Sequence, residues 1–255
     1  MTTKRKNQIC ALLKGIETGD AAAVAVVNED KYIQHNPQTH EGSEGLAALF
    51  KRLSKTFPRV NIVRVFADDD YVFAHTEYDF ARSNIGFEVF RFEDGFAVEH
   101  WDNIQQRLAP NPSGHTMVDG TTEATDLDKT EFNREIVRSF VDDILINGNF
   151  DKLEEYIDNE QFIEHNPRIG DGLSTLRSAL CDPESNGGIT IQYDTIHRLL
   201  AEGSFVLSVS EGFLNGVHSS FYDLFRVSQG KLVEHWDTVD AIPPRDEWKN
   251  ENGKF

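Results

Sequence analysis

Apolar residues at Ile9, Leu12, Leu13 and Ile16 recur at helical spacing, and Ile136, Val137, Phe140, Val141, Ile144 and Leu145 do so more strongly in the second half of the chain. Each predicted helix meets a stop, at 15–20 or at Asn147-Gly148-Asn149. A second helical segment is expected to run into His35-Asn36-Pro37 or His165-Asn166-Pro167. Proline pushes the residue before it toward extended geometry, which closes that helix and leaves the motif on a turn. A short helix follows, carrying Leu46, Leu49, Phe50 and Leu53, or Leu173, Leu176 and Leu180. The period then changes from helical to two: Phe205, Leu207, Val209, Glu211 and Phe213 alternate with Val206, Ser208, Ser210 and Gly212. Four strands are expected in each half, the last two joined through Glu93-Asp94-Gly95 or Ser228-Gln229-Gly230. Helices first and then a run of antiparallel strands is the order of an α+β domain with its helices on one face of a curved sheet.

The same order occurs twice because the chain is a repeat. Tyr32-Ile33-Gln34-His35-Asn36-Pro37 returns as Phe162-Ile163-Glu164-His165-Asn166-Pro167, and the register continues so that Gly42 meets Gly172 and Leu46 meets Leu176. Phe90-Arg91, Gly95 and Glu99-His100-Trp101-Asp102 return with the same spacing as Phe225-Arg226, Gly230 and Glu234-His235-Trp236-Asp237. Between these anchors Arg64, Ala67 and Glu77 correspond to Arg198, Ala201 and Glu211, with a short insertion near Cys181-Asp182-Pro183 absorbing the offset. Residues 106–128 hold Pro, Gly, Ser, Thr and acids without an apolar period, which is linker chemistry. The expected organisation is domain 1 at 1–105, linker at 106–128 and domain 2 at 129–255. The two halves are expected to pack as an intrachain pseudo-dimer, with further oligomerisation open.

Composition narrows the function. Of 255 residues, 39% are hydrophobic and 18 are Phe, ample for two cores. A formal net charge of −18 repels phosphate backbones and anionic lipid surfaces, so neither nucleic acid nor membrane is an expected partner. The basic start MTTKRKNQIC lacks an apolar stretch after it and nothing reaches bilayer-spanning length, so a cytoplasmic location is expected. Cys10 and Cys181 occupy non-matching places and support neither a disulfide framework nor a structural zinc cluster.

Tyr-Ile-Gln-His-Asn-Pro, then Phe-Arg, then Gly-x-x-x-Glu-His-Trp-Asp together resemble the SnoaL-like family of the NTF2-like superfamily, in particular its subgroup of predicted aldol-condensation-catalysing enzymes, and the resemblance extends over both repeats. It implies a cone made of a bent sheet closed by helices around one pocket. It also implies a cofactor-free mechanism in which a pocket acid acts as base, for which the final Asp of Glu-His-Trp-Asp, Asp102 or Asp237, is the best positional match. Members usually carry one domain per chain, so the tandem arrangement departs from the pattern.

The residues support a parallel reading of their own. On the last strand His100 and Asp102 share one face, as do His235 and Asp237, while Glu99, Trp101, Glu234 and Trp236 point the other way. A carboxylate in an apolar cone is raised toward working pH and can remove a proton beside a carbonyl, and an adjacent imidazole can hydrogen-bond the enolate oxygen. The bland alternative places these pairs on an open rim, with Trp101 and Trp236 as core anchors. His35 and His165 either face the pocket mouth or cap a helix end. Glu77 and Glu211 sit on apolar stripes and need a pocket or an ion pair, with Arg91 or Arg226 as the expected partners. Glu88 and Asp223 are matched third-strand acids. All are candidate pocket residues, together with the two tryptophans.

Phosphate-binding glycine loops, a nucleophile elbow and a His-Glu-x-x-His motif are absent from the sequence. No cofactor and no metal are expected; His35, His100 and Asp102 would make a two-His-one-carboxylate set only if they converged. The expected substrate is a small apolar or aromatic carbonyl compound undergoing aldol-type cyclisation or isomerisation. A non-catalytic ligand-binding or assembly module is the alternative.

Overall fold

The computed structural model describes residues 2–80, 82–159, 161–182, 184 and 187–255. Pro183, part of the expected insertion, lies outside the described residues. The chain forms two compact units, Met1–Gln106 with Ile242–Phe255, and Arg107–Ala241. This differs from the expected boundaries, since the stretch read as a linker belongs to the second unit and the last residues belong to the first. Hydrogen bonds explain the difference. Asn111 donates to the carbonyls of Glu164 and Ile169, and Asn250 donates to those of Asn36 and Thr39.

In the first unit, α1 (Thr2–Thr18) presents Ile9, Leu12, Leu13 and Ile16 to the core, as the period requires. It ends at Gly19, whose φ of 67° is the left-handed conformation that stops helices, with Gly19 N–H bonded to the Gly15 carbonyl. A 3-10 turn (Ala21–Val26) follows, capped by Asp20. The helix expected before His-Asn-Pro is replaced by β1 (Ile33–Gln34), which pairs in parallel with the last strand, Gln34 opposite His100. Aromatic and β-branched residues at Tyr32 and Ile33 favour this pairing over a helix. The motif itself is a turn, as expected: Gln38 N–H bonds the Asn36 side chain and Thr39 N–H bonds the Asn36 carbonyl.

After α2 (Gly42–Leu53) come β2 (Arg59–Asp68), β3 (Tyr71–Asp79), β4 (Ser83–Glu93) and β5 (Phe96–Gln106), an antiparallel meander in sheet order β1-β5-β4-β3-β2. The β4–β5 turn puts Asp94 and Gly95 at φ 51° and 86°, the two positive values of a type I′ hairpin. Register breaks at Ile62/Arg64 and Arg91/Phe92 are bulges, which bend strands and curve the sheet around α1 and α2.

The second unit repeats the plan. Its α3 (Thr130–Phe140) runs into a π-helical turn (Val141–Ile146), short α4 (Leu153–Tyr156) precedes β6 (Ile163–Glu164), and α5 (Leu173–Cys181) precedes β7 (Ile191–Glu202), β8 (Phe205–Leu214), β9 (Val217–Ser228) and β10 (Lys231–Ala241). The sheet order is β6-β10-β9-β8-β7. Both units are thus α+β, each a curved, mainly antiparallel sheet with one short parallel edge strand and helices over one face. Among the described residues, no helix is long and apolar enough to cross a membrane.

Candidate active site

Strand alternation sends His100 and Asp102 of β5 to the helix-covered face of the first sheet, where both line a cavity of about 190 Å³. Its wall is mostly apolar, with Leu12, Leu49, Phe50 and Phe90 among its residues. Glu88 of β4 is the register partner of Asp102, so the two acids stand side by side on that wall. Asp102 is 5% exposed, and its Oδ2 accepts a 2.6 Å bond from the Asn36 amide. The Lys254 ammonium donates to the Asp102 carbonyl at 2.7 Å and lies 3.8 Å from Oδ1.

His100 is held at both ring nitrogens. Gln34 Oε1 already accepts the Asn36 N–H at 2.8 Å, so it is the oxygen, and His100 Nδ1 must donate to it at 3.0 Å. That leaves Nε2 to share a proton with Glu88 Oε2 at 2.7 Å, while Tyr78 donates to the other Glu88 oxygen. Burial pushes the Glu88 carboxyl above its ordinary range; the hydrogen bond and charge of His100 pull it back, and the Asp102 charge adds to the rise.

The second unit carries the same frame with one decisive change: Glu164 stands where Gln34 does. Its carboxylate accepts the N–H groups of His165 and Asn166 and also His235 Nδ1 at 2.9 Å. His235 Nε2 meets Asp223 at 3.2 Å, and Asp223 accepts the Tyr193 hydroxyl at 3.0 Å. Burial alone would lower His235. The Glu164 charge, the hydrogen bonds to Asp223 and Glu164, and the Asp237 charge instead raise it well above the usual imidazole value. Asp237 receives the Asn166 amide on Oδ2 at 2.7 Å, while its buried Oδ1 has no hydrogen-bond partner. Burial, with the charges of Glu164 and Asp223, pushes Asp237 up to about 7 against the pull of His235. The cavity beside it measures only about 50 Å³.

The opposite faces hold a different constellation. His35 stacks on Trp101 at 4.7 Å, bonds Glu99 through Nε2 at 2.9 Å and bonds the Gly253 carbonyl through Nδ1. His165 stacks on Trp236 at 4.6 Å and meets Glu234 through Nε2 at 3.1 Å. Arg91 and Arg226 each give a 2.6 Å bond from Nε to Glu99 or Glu234. Burial opposes ionisation of Glu234, but His165, Arg226 and the Thr121 N–H hold it down at about 2.

The candidates therefore divide. Asp102, His100, Glu88, Asp237, His235 and Asp223 line the two cavities. His35, His165, Trp101 and Trp236 lie on the reverse face, since each follows by one residue a side chain that lines a cavity: Gln34, Glu164, His100 and His235. Glu77 and Glu211 also lie away from the cavities: Glu77 accepts from Asn61, and Glu211 bonds His197 and His218. Neither takes the expected arginine, which Glu99 and Glu234 occupy. His35 cannot join His100 and Asp102 around one ion, since Trp101 and the strand separate them. Nor does either cavity imidazole offer an unengaged nitrogen to an enolate.

Sequence reading missed Gln34, Glu164, Asn36 and Asn166, although the motif displays all four; the parallel pairing of β1 and β6 that aims them was masked by the expectation of a helix. It also missed Tyr78 and Tyr193. Repeat alignment cannot find this pair, because Tyr78 comes from β3 and Tyr193 from β7. In the second unit Gly212 stands at the position equivalent to Tyr78, directly opposite Tyr193 in register, and a Cβ there would lie 1.9 Å from the Gln192 carbonyl oxygen.

Residues 10–100 match the family model described as SnoaL-like domain. That match spans most of the first unit, which is similar to a SnoaL-like domain over those residues. Among solved structures, TsrD from Streptomyces laurentii is similar at 19% identity and a TM-score of 0.37, covering 40% of this chain and 89% of that one. An LEH-like epoxide hydrolase of M. tuberculosis is similar at 21% identity and a TM-score of 0.36, covering 44% and 85%. A SnoaL-like polyketide cyclase from Agrobacterium tumefaciens is similar at 18% identity and a TM-score of 0.35, covering 42% and 91%. No curated protein matches the sequence.

Proposed function

We propose that the chain is a cofactor-independent enzyme that removes a proton next to the carbonyl of a small apolar or aromatic compound, with Asp102 as the base of the first unit and Asp237 its counterpart in the second. The observation that carries this reading is a buried carboxylate, held by Asn36, on the wall of an apolar cavity of about 190 Å³. A cavity of about 150 Å³ already admits benzene, so the first unit has room for one aromatic ring. The second, at about 50 Å³, has room for only a few atoms.

In the reaction the C–H bond alpha to the carbonyl breaks, its proton passes to Asp102, and its electron pair moves to the carbonyl oxygen as an enolate. That enolate either attacks a second carbonyl carbon, forming the aldol C–C bond, or is reprotonated at another carbon, giving an isomer. The Glu88–His100 pair holds one shared proton next to Asp102 and serves as the donor that completes either route. Gln34 and Tyr78 position that pair.

Deuterium incorporation alpha to the carbonyl of a set of aryl ketones, followed by NMR in D₂O, tests this without knowledge of the natural substrate. Exchange above the buffer rate that drops by about 10² to 10⁴ in Asp102→Asn supports the reading. Ketone binding without exchange in the parent protein supports the ligand-binding alternative.

A further inference from the structure

The segment 107–126 of the second unit carries a cluster that the cavity chemistry does not use. Asp119 stands between two imidazoles, its Oδ1 3.0 Å from His165 Nδ1 and its Oδ2 3.4 Å from His115 Nδ1. One donor atom from each of the three residues lies within 4.8 Å of the others.

The far side of each ring is anchored on a second carboxylate. His165 Nε2 faces Glu234 Oε1 at 3.1 Å, and His115 Nε2 faces Asp171 Oδ2 at 3.2 Å. A carboxylate only accepts, so both Nε2 atoms carry hydrogen and both Nδ1 atoms turn toward Asp119. A histidine ligand whose second N–H is anchored on a carboxylate is the recurrent outer shell of protein metal sites. Around His165 Nδ1 every neighbour is an acceptor, namely Asp119 Oδ1 and the Thr116 carbonyl at 2.8 Å. The centre of the cluster calls for positive charge, supplied either by two extra protons or by one cation.

We propose that His115, Asp119 and His165 form a binding site for a divalent transition-metal ion of the zinc type, with Asp171 and Glu234 as the carboxylates that orient its imidazoles. Two nitrogens and one carboxylate oxygen suit zinc, with a fourth place left for water. Bonds of about 2.0–2.1 Å in a tetrahedron place ligand atoms about 3.3 Å apart, and one donor atom from each of the three residues already lies within 4.8 Å of the others. Backbone preparation is visible as well. The Thr116 N–H and hydroxyl fix Asp119 Oδ1 at 2.8 and 3.0 Å, and the Trp236 indole donates to the Asp119 carbonyl at 2.9 Å. Gly120, at φ 92°, passes so near that a Cβ would stand 2.1 Å from Glu234 Oε1 and 3.0 Å from His165 Nε2. Among the described residues the first unit has no counterpart of Asp119 at this place, where His35 Nδ1 meets the Gly253 carbonyl. A bound ion would fasten 107–126 to β6 and β10. The proposal departs from the sequence expectation that the chain binds no metal, which weighed His35, His100 and Asp102 and passed over His115 and Asp119 in the stretch read as a linker.

The test is calorimetric titration of the full chain, stripped with chelator and dialysed, with Zn²⁺ alone, and with Co²⁺ as a visible-absorption reporter of tetrahedral coordination. The expected result is one saturable equivalent per chain, a rise in melting temperature on saturation, and loss of both in His115→Ala. Asp171→Asn should keep the equivalent but weaken it by about 10- to 100-fold. His115 is part-exposed, so its truncation does not threaten folding, and circular dichroism of the variant checks this. No saturable uptake by the parent chain would overturn the proposal. An equivalent that persists unchanged in His115→Ala would overturn it too, and would place the ion elsewhere, with Glu88, His100 and Asp102 the next set to test.

Discussion

Replacing Asp237 with Asn should make the protein more stable at neutral pH and slightly less stable in mild acid. In the unfolded chain this carboxyl ionises near 3.8, and in the fold near 7. A group raised in the fold contributes most below its unfolded value, and that contribution is lost as pH rises toward the folded value. The two values differ by about 3 pH units, and at about 1.4 kcal/mol per unit the loss between pH 4 and 7 approaches about 4 kcal/mol. Asparagine has no such dependence. It keeps an oxygen for the Asn166 amide but sets an N–H₂ where Oδ1 has no hydrogen-bond partner, at a cost of about 1 kcal/mol. Urea unfolding at pH 4, 5.5 and 7 should therefore show the variant about 1 kcal/mol weaker at pH 4 and about 3 kcal/mol stronger at pH 7, with the denaturant slope unchanged. A difference between variant and parent that stays constant over this range would refute the argument, since it would mean that Asp237 ionises as an ordinary exposed carboxyl.

Glu164→Gln gives the second unit the side chain that Gln34 gives the first. It removes a negative charge that raises both His235 and Asp237, so NMR titration should find His235 moved down toward 6.5 and Asp237 below 7; unchanged values would refute the assignment. Glu234→Gln removes a carboxylate held at about 2 rather than 4.5, a contribution of about 3 kcal/mol that is full above pH 4.5 and lost as pH falls toward 2. The variant should therefore be weaker than the parent at pH 7 and nearly equal to it near pH 2, as read by chemical unfolding. Lys254→Met leaves the buried Asp102 carbonyl without its donor and should cost about 1–3 kcal/mol, with thermal unfolding as the measure.

How much of this was legible beforehand depends on distance along the chain. Strand alternation alone placed His100 with Asp102 and Trp101 with Glu99, and the repeat alone doubled the assignment onto His235, Asp237, Trp236 and Glu234. The period of α1 named its buried face, and Asp94-Gly95 named its turn. What failed was non-local. A two-residue parallel strand such as Ile33–Gln34 has too few residues to show a period, so His35 and His165 were aimed at the wrong side of the sheet. Glu77 and Glu211 were given arginine partners because their strand position was known and the cross-strand partners of Arg91 and Arg226 were not. The stretch 106–128 read as linker and the tail at 242–255 read as part of domain 2 because what holds them is scattered side-chain anchors, Asn111 and Asn250 among them, rather than any repeating pattern.

Whether Asp102 works as a base in its cavity can be read from the ring opening of a benzisoxazole. This reaction needs one carboxylate to take one carbon-bound proton in an apolar site. The parent protein should turn the benzisoxazole over above the buffer rate, with a loss of about 10² to 10⁴ in Asp102→Asn and little change in Asp237→Asn, whose cavity of about 50 Å³ is too small for the ring. Turnover that survives Asp102→Asn undiminished would contradict that role for Asp102.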